Sequence, residues 1–547
     1  MVSAGSRKGC FGEPVPAARI NIDRLVMIFI AAVLLLFLVL RLVNVGHTLS
    51  WDEAWNVNAI MDGAGNYTDD ASSFFPAFYR HPPAYTGTGL LIASLTGMDR
   101  SSLAKTMQLL SILFGLLLAA VVYICAKDWF GKGAGLAAVV SLALMPSARV
   151  YDTWVKQESM VLFFTMLFLL FFFRKKQVAA GIMLGLALLT KEIAVFAPFA
   201  LMLFLLPGKR KKYLRQLAVT CGIAIIASGW WYLLFSRTRG EFLDFFLGRH
   251  LSAVTWHKPW YFYLERIPSD LSWVVLALVL MGVFALFMSL QRDREAPCRE
   301  VDFKQREIAC FLLVWIVVVY FPLSFSYGKP PWMIYSVLPA FALLGGWGTA
   351  ACREWVISRL NKAQAYALGI LLLCALLFFA LPMGFEQFMN RADVMYAGTL
   401  EDRRMAIYVN AWAGSRSRVM MRDQDLSPVF AYYLESYQPG RISLLPLEPE
   451  RRTDLPASSD PGLLLLHNSS SAAQIMDYLE IMPVDFLVLR QDGGALEKAA
   501  GSAPMVFGDK LVFRLQSRQA FPLSGIQARM HLKRNQSALP AAVMPPG

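Results

Sequence analysis

Residues 25–55 read LVMIFIAAVLLLFLVLRLVNV, then GHTLS, then WDEAW, so that an apolar run is followed at once by two carboxylates between tryptophans. The run of about 21 residues is long enough to cross the hydrocarbon of a bilayer, which takes about 20. It is too long for the core of a signal peptide, and no small-residue cleavage site follows it, so we expect an uncleaved anchor. Membrane insertion therefore decides the fold.

The composition of the whole chain agrees. Of its 547 residues 56% are hydrophobic and 17% are charged, and the mean hydropathy is +0.47. A soluble protein carries roughly 25% charged residues and could not hide so much apolar surface. The 52 basic and 39 acidic residues give a net charge of +13. In a membrane protein this excess indicates which side faces the cytoplasm, and we expect no nucleic-acid partner.

The predicted fold class is mainly α, a polytopic membrane helix bundle with a C-terminal extracytoplasmic α/β domain. Two of its predicted spans are short and could form a broken pair around Lys191 and Glu192. About eleven spans are expected, at 25–45, 104–125, 134–150, 158–173, 178–190, 193–206, 217–236, 271–290, 308–326, 332–350 and 363–383.

Every second connection between these spans is rich in Lys and Arg, which places those connections and the N-terminal segment 1–24 in the cytoplasm. An odd number of spans then places the C-terminal region outside. We expect a multi-pass protein of the bacterial cytoplasmic (inner) membrane. Its transmembrane domain is predicted at 25–385, with periplasmic loops at 46–103, 151–157 and 237–270.

The C-terminal region alternates short apolar runs with turn residues, which is typical of a small α/β domain. We predict this domain at 386–516 and a flexible tail at 517–547. Helices are expected near 400–413 and 471–480, and strands at 418–422, 429–434, 442–445, 463–467, 485–490 and 511–515.

The polar residues that lie outside the membrane suggest chemistry. Asp52 and Glu53 directly follow the first span, where partial desolvation would make a carboxylate a stronger general base. The same residues also suit the start of a helix, with Ser50 as its cap. Further along the first loop, His81 and Tyr85 flank a Pro-Pro pair that is typical of a helix start.

The later outside segments add both acids and cations. Tyr151, Lys156 and Glu158 lie in or beside the second loop, where an acid and a base could also form a local salt bridge. The third loop holds Arg249, His250 and His257 among aromatic residues. Lys329 lies at the outer mouth between two spans, and a lone lysine there often snorkels to the interface. The cations suit a lipid phosphate at the same depth.

Together these groups suggest transfer of a group from a membrane-anchored phosphate. A carboxylate would take the proton of the acceptor, and the cations would stabilise the phosphate leaving group. Two other classes stay open. A flippase for a lipid-linked sugar would predict inverted repeats and charge near the bilayer midplane. A scaffold or sensor would act through the outside domain.

In order along the chain, these motifs resemble the C-type (GT-C) superfamily of integral-membrane glycosyltransferases, in particular the bacterial branch related to protein mannosyltransferases and the aminoarabinose transferase. The resemblance covers roughly residues 20–350. It is carried by Asp52-Glu53, by His81-Pro82-Pro83, by the stretch 151–158, by Gly185-Leu-Ala-Leu-Leu-Thr-Lys191 and by Lys329.

The resemblance implies an inverting glycosyltransferase that moves a hexosyl or pentosyl group from a polyprenyl-phosphate-linked donor to an acceptor hydroxyl. By that resemblance Asp52 is the catalytic base, with Glu53 beside it and Glu158 as the second acid. The donor phosphate would be bound by Lys329, His250, His257 and Arg249, and substrate by His81, Tyr85, Lys156 and Tyr151.

Some positions depart from the pattern. His81 stands where the aminoarabinose branch carries Lys, and Arg80 where it carries an acid, which argues against modification of lipid A. The expected partners are a polyprenyl-phosphate-linked sugar, membrane lipids, and a lipid, glycan or protein acceptor. No compact metal-ligand spacing occurs in the sequence, so no metal site and no cofactor is assigned, while a requirement for a divalent cation stays open.

Overall fold

A computed structural model describes the helical part of the chain and short pieces of the C-terminal region. The predicted span 363–383, the predicted helix 471–480 and the tail 517–547 lie outside the described residues. These are 22–65, 82–206, 211–239, 258–292, 300–326, 329–357, 401–410, 418–422, 428–437, 445–447, 462–466, 486–490, 505–507 and 510–514.

The described chain is mainly helical. Two 3-10 helices, Glu192–Val195 and Pro331–Val337, lead directly into α9 and α14, and residues 401–410 are also helical. The α-helices are α1 Ile22–Leu42, α2 Trp51–Gly65, α3 Pro83–Thr96, α4 Arg100–Phe130, α5 Lys132–Leu144, α6 Pro146–Tyr151, α7 Glu158–Phe173, α8 Gln177–Thr190, α9 Phe196–Leu205, α10 Lys211–Arg239, α11 Phe262–Leu271, α12 Trp273–Arg292, α13 Glu300–Phe325, α14 Leu338–Ile357 and α16 Pro428–Tyr437, the number α15 being kept for the helical residues 401–410.

Within the described residues, five helical segments are long and apolar enough to cross a membrane. Shorter apolar helices pack among them, and α8, for example, lies between α7 and α10. The five segments are Arg100–Phe130, Tyr213–Leu233, Trp273–Gln291, Gln305–Phe325 and Pro331–Cys352.

The helices differ from the predicted spans in informative ways. The span predicted at 134–150 is wrong as one helix: it breaks at Met145 because Pro146 starts a new helix, α6. The predicted interruption at Lys191 and Glu192 is confirmed, since α8 ends before them and a 3-10 turn follows. Helix α10 continues to Arg239, and α11 lies within the predicted third loop 237–270, whose bounds stay a prediction.

Two glycines permit a backbone-to-backbone contact between α12 and α14. A Cβ atom at Gly282 would collide with the carbonyl group of Leu344, and one at Gly348 would collide with the backbone of Gly282. Small residues at such a crossing let two membrane helices approach closely, which dispersion forces then reward. This contact fixes the Pro331–Ile357 region against the bundle.

The two ends of the bundle can be told apart by their ion pairs. Arg174 follows α7 and contacts Asp128 at the end of α4, which defines one end. Glu158 begins α7 and contacts Lys191 at the end of α8, which defines the other end. We call the second end the rim.

The described strands form a six-stranded sheet with the order β2-β3-β1-β4-β6-β5. Strands β2, β3, β1 and β4 are parallel, while β6 is antiparallel to both β4 and β5. The strand predicted at 429–434 is wrong, because those residues lie in helix α16. The strands are β1 Arg418–Arg422, β2 Leu445–Leu447, β3 Gly462–Leu466, β4 Phe486–Arg490, β5 Met505–Phe507 and β6 Lys510–Arg514.

Helix α16 packs against the helix bundle. Its side chains Val429 and Tyr432 belong to the same buried apolar cluster as Leu49 and Val57, which flank the start of α2. This cluster also includes α3 and α4 and is separate from the large core of the bundle. The first turn of α2 therefore lies between the helix bundle and a C-terminal helix.

Candidate active site

The rim is built around the connection 152–157 between α6 and α7. This connection is not helical, yet all its residues are buried, and Asp152, Lys156 and Gln157 are each less than 5% exposed. Buried irregular backbone at membrane depth is tolerated only where protein or a cavity satisfies its polar groups. Its polar groups should therefore have specific partners, and they do.

Asp52, at the start of α2, is held by Lys156 from this connection. The Nζ atom of Lys156 lies 2.6 Å from Oδ2 of Asp52. The same ammonium group lies 4.0 Å from the ring centroid of Trp332 and 4.6 Å from that of Trp154, within the range of cation–π attraction. Lys156 is nearly buried, whereas the side chain of Asp52 is 33% exposed. The carboxylate of Asp52 therefore has a fixed direction and is accessible to solvent.

A second ion pair lies beside the first. Nζ of Lys191 lies 2.8 Å from Oε1 of Glu158, and both side chains are at most 5% exposed. Oε2 of Glu158 is buried and has no hydrogen-bond partner. A desolvated carboxylate oxygen without a partner is unfavourable until a donor group reaches it. This oxygen is therefore available to a hydroxyl or amine of a bound substrate.

Glu53 has a structural environment. Its Oε2 accepts a hydrogen bond from the backbone N–H of Ser50 at 2.8 Å, and its Oε1 accepts one from the N–H of Val155 at 2.9 Å. The first bond is one half of a capping box at the start of α2. Ser50 stands at the predicted cap position directly before α2, but its hydroxyl has no hydrogen-bond partner, so Glu53 and not the hydroxyl makes the capping bond. Glu53 thus joins α2 to the 152–157 connection.

His47 completes this arrangement. Its Nε2 lies 3.1 Å from Oε1 of Glu53. Burial by itself would lower the pKa of His47, but the charge of Glu53 and its hydrogen bond outweigh burial and raise that pKa. Burial alone would raise the pKa of Glu53, but His47 and the two backbone donors lower it. Both pKa shifts therefore favour the charged forms of His47 and Glu53 as a pair.

Asp152 anchors the other side of the connection. Its carboxylate accepts hydrogen bonds from Nε of Arg41 at 2.8 Å, from Oγ of Ser159 at 2.8 Å and from Oη of Tyr335 at 2.5 Å. These partners come from α1, from α7 and from the 3-10 helix before α14. The predicted alternative of a local salt bridge in this loop is wrong, because its charged residues pair with distant elements.

A pocket of about 290 Å³, partly open to solvent, lies at this point of the rim. The two ion pairs face it together, so that it carries two carboxylates and two ammonium groups. Its remaining lining is aromatic and amide. The lining residues are Asp52, Trp55, Asn56, Lys156, Gln157, Glu158, Lys191 and Trp332.

The structure brings together Asp52, Lys156 and Glu158 of the predicted site residues. Tyr85 does not line the pocket, because it is buried between α3 and α4 with its hydroxyl 2.9 Å from Oγ of Ser111. Tyr151 is buried as well, with its ring edge-on to the rings of Trp154 and Tyr335.

Lys329 lies three residues before the pocket residue Trp332, with its Nζ donating to the carbonyl of Ser326 at 2.5 Å. It is 4% exposed, and burial lowers its pKa. Four further predicted site residues lie outside the described residues, namely His81, Arg249, His250 and His257.

Sequence reasoning missed three groups that organise the pocket. Lys191 is noted as an interruption of an apolar run and as the end of a motif but receives no role in the site, while Arg41 and His47 are quoted only within the stretch 25–55. A signal existed for the first two, because a cation inside an apolar run is costly and indicates a buried partner. In the part of the chain that the structure describes, no group of three or more His, Cys, Asp or Glu is placed to bind a metal ion.

Comparisons with known proteins bear on the fold. Residues 80–232 match the family model described as dolichyl-phosphate-mannose-protein mannosyltransferase. A comparison with curated proteins gave no match. Among solved structures, the fold is similar to that of ArnT from Cupriavidus metallidurans bound to undecaprenyl phosphate. The TM-score is 0.59 at 17% identity, over 90% of this chain and 98% of that chain.

A second similar structure is the Archaeoglobus fulgidus oligosaccharyltransferase tethered to an acceptor peptide. Here the TM-score is 0.53 at 13% identity, over 86% of this chain and 69% of that chain. ArnT and the oligosaccharyltransferase are both C-type glycosyltransferases. The chain therefore has the fold of the C-type integral-membrane glycosyltransferases, and the resemblance seen in its sequence is confirmed.

Proposed function

We propose that the protein is an inverting glycosyltransferase that moves a sugar from a polyprenyl-phosphate-linked donor to an acceptor hydroxyl. The observation that carries this proposal is the pairing of Asp52 with Lys156 at 2.6 Å in a pocket that also holds Glu158 and Lys191. A partly exposed carboxylate beside a buried one suits a base that meets an incoming acceptor.

The reaction follows from these groups. The oxygen of the acceptor hydroxyl forms a bond with the anomeric carbon, while Asp52 accepts the hydroxyl proton. The bond from the anomeric carbon to the phosphate oxygen breaks on the opposite face of the sugar, and the lipid phosphate leaves with the electron pair. Inversion results from this single displacement. Lys156 holds the carboxylate of Asp52 in a fixed direction until the acceptor arrives.

The donor phosphate needs cations near the pocket but away from Asp52. Lys329 lies three residues before Trp332, which forms part of the pocket wall. We assign the phosphate to Lys329 together with Arg249, His250 and His257, and we place the sugar between Trp332 and the free oxygen of Glu158. The ArnT structure that is similar in fold contains undecaprenyl phosphate, which supports a polyprenyl-phosphate donor.

The proposal includes a location. The end of the bundle opposite the rim holds Lys127, Lys132 and the run Arg174-Lys175-Lys176. Positive residues favour the cytoplasm, so the rim would face the outside of a bacterial inner membrane. The eleven spans, the cytoplasmic N-terminus and the extracytoplasmic domain at 386–516 belong to the same proposal. A flippase is less suitable, because the paired charges of the pocket lie at helix ends.

The decisive experiment compares envelope glycans and glycolipids by mass spectrometry in a strain that lacks the gene. Complementation with the unaltered gene should restore a missing sugar. Asp52→Asn should reduce transfer by a factor of about 10²–10⁴, because an amide cannot accept the proton. Asp128→Asn removes a carboxylate at the opposite end and should restore the sugar fully. Equal restoration by Asp52→Asn, at equal protein level, would contradict the proposal.

A further inference from the structure

The loop of residues 46–50, which leads into α2 and its first-turn residue Asp52, is contacted by the C-terminal part of the chain. Nη1 of Arg403 donates to Oγ1 of Thr48 at 2.7 Å. The backbone N–H of Leu49 donates to the hydroxyl of Tyr433 at 3.3 Å. Both contacts fall within four residues of Asp52, and both come from helices more than 350 residues away along the chain.

The two C-terminal side chains also contact one another. The guanidinium carbon of Arg403 lies 5.3 Å from the ring centroid of Tyr433, within the range of cation–π attraction. Nε of Arg403 is buried and has no hydrogen-bond partner. The bond to Thr48 therefore gives this guanidinium group a directional contact beside its cation–π contact.

Apolar packing supports the same contact. Val429 and Tyr432 of α16 share one buried cluster with Leu49, Ala54 and Val57. Burial of apolar side chains is favourable but non-directional, whereas a hydrogen bond fixes the direction of its partners. Apolar contact therefore attaches α16 to the loop, and the polar contacts of Arg403 and Tyr433 determine its exact placement.

The opposite side of the loop is fixed by the bundle. The backbone N–H of Gly46 donates to Oε1 of Gln108 on α4 at 2.8 Å, and Nε2 of Gln108 lies 3.3 Å from Nδ1 of His47. The loop thus lies between α4 on one side and the C-terminal helices on the other. Without the C-terminal helices, Thr48 would lose its hydrogen bond from Arg403, and Leu49 would lose its hydrogen bond to Tyr433.

We propose, on the basis of the function proposed above, that Arg403 and Tyr433 are positioning residues for Asp52. They act through Thr48 and Leu49, and neither lines the pocket. The C-terminal region thereby has a part in the transfer reaction itself, since it holds the base at the distance that Lys156 and an acceptor require. A displacement of a catalytic group by about 1 Å can reduce a rate by about 10²-fold.

Hydrogen exchange measured by mass spectrometry on the full-length protein in lipid nanodiscs tests the contact. Arg403→Met should accelerate exchange of the amides in residues 46–56 by about tenfold, because it removes the bond to Thr48. Tyr433→Phe, which removes only a hydroxyl, should have a smaller effect in the same peptides. The matched control is Arg404→Met, because Arg404 is 58% exposed and pairs with Glu401 instead. Unchanged exchange in Arg403→Met would overturn the proposal.

The functional part is tested with the same variants in the complemented strain. Arg403→Met should reduce sugar transfer by about 10- to 100-fold while the purified protein still binds undecaprenyl phosphate like the unaltered protein. Arg403→Lys, which keeps a donor for Thr48, should recover part of the rate. Thr48→Val should imitate Arg403→Met, and the two changes together should be no worse than one.

Failure of this inference can be told apart from failure of the proposed function. If Arg403→Met loosens residues 46–56 but transfer remains normal, the positioning role is wrong while Asp52→Asn still abolishes transfer. If Asp52→Asn also leaves transfer normal, the proposed function is wrong. If Arg403→Met destroys undecaprenyl phosphate binding as well, the residue has a general structural role and the positioning proposal is overturned.

Discussion

The two ends of the helix bundle use the same kinds of ion pair in different surroundings. At the rim, Lys191 and Glu158 are at most 5% exposed. At the opposite end, the side chains of Arg174 and Asp128 are 42% and 31% exposed. Both contacts are short, at 2.8 Å and 2.6 Å, so geometry alone does not distinguish them. What differs is the water around the charges.

This difference sets how much each pair should contribute to stability. An exposed pair is screened by solvent and contributes little. A buried pair is expensive to form, and removal of one partner leaves an uncompensated charge. Such pairs persist where a fixed charge is useful, which here is the wall of the pocket.

Lys191→Met should have the largest effect on stability, because it leaves the buried carboxylate of Glu158 without a counter-charge. We expect a loss of about 3–5 kcal/mol in the free energy of unfolding. The measurement is chemical or thermal unfolding of the purified protein in detergent. The double variant Lys191→Met with Glu158→Gln should recover much of this loss. No recovery would show that Lys191 stabilises the fold through something other than the pair.

The pair of His47 and Glu53 should give a moderate effect that depends on pH. The pKa of His47 is raised above 6.5, so its contribution is complete below about pH 6.5 and is lost as the pH rises through the raised value. The pKa of Glu53 is lowered below 4.5, so its contribution is complete above about pH 4.5 and is lost as the pH falls through the lowered value.

The thermal midpoint should therefore be highest between about pH 4.5 and 6.5 and decline on the alkaline side. His47→Gln should flatten the alkaline decline and lower the midpoint within the plateau. A scan of the midpoint against pH in one detergent tests this. An alkaline decline of equal size in His47→Gln would assign the effect to another group.

Arg174→Met should have the smallest effect. Its partner Asp128 is exposed and can be solvated by water, so we expect a change of about 0–1 kcal/mol in the free energy of unfolding. Added salt should reduce even this change. The same unfolding assay applies. A loss as large as that of Lys191→Met would remove the distinction between the two ends of the bundle.

The sequence predicted features that depend on local patterns. Helix α7 coincides with the predicted run 158–173, and the Pro82-Pro83 pair does start a helix, α3. That α7 crosses the membrane stays a prediction, as do the total number of spans and the domain boundaries. Asp52 was identified as a base candidate from its place after the first span, and the structure puts it in the pocket.

What depends on distant contacts could not be predicted. Asp52 and Lys156 are 104 residues apart, and no local pattern joins them. The strand predicted at 429–434 is wrong for a related reason. Val429 and Tyr432 favour strands locally, but they lie in a helix whose contacts with α2 and α4 are distant in sequence. Pro146 signals the break at Met145, but no local pattern signals that the 152–157 connection is buried.

Two hydrogen bonds join α2 to Val155 of the 152–157 connection, and both use backbone atoms of Val155. Val155 donates its N–H to Glu53 and accepts a hydrogen bond from Nδ2 of Asn56 at 2.7 Å through its carbonyl group. Any residue other than proline supplies the same two groups. An aliphatic side chain of similar volume at position 155 should therefore keep both bonds, whereas loss of the acid at 53 or of the amide at 56 would remove one of them. The relative placement of the two segments that line the pocket thus depends on residues 53 and 56 and not on the identity of the side chain at position 155.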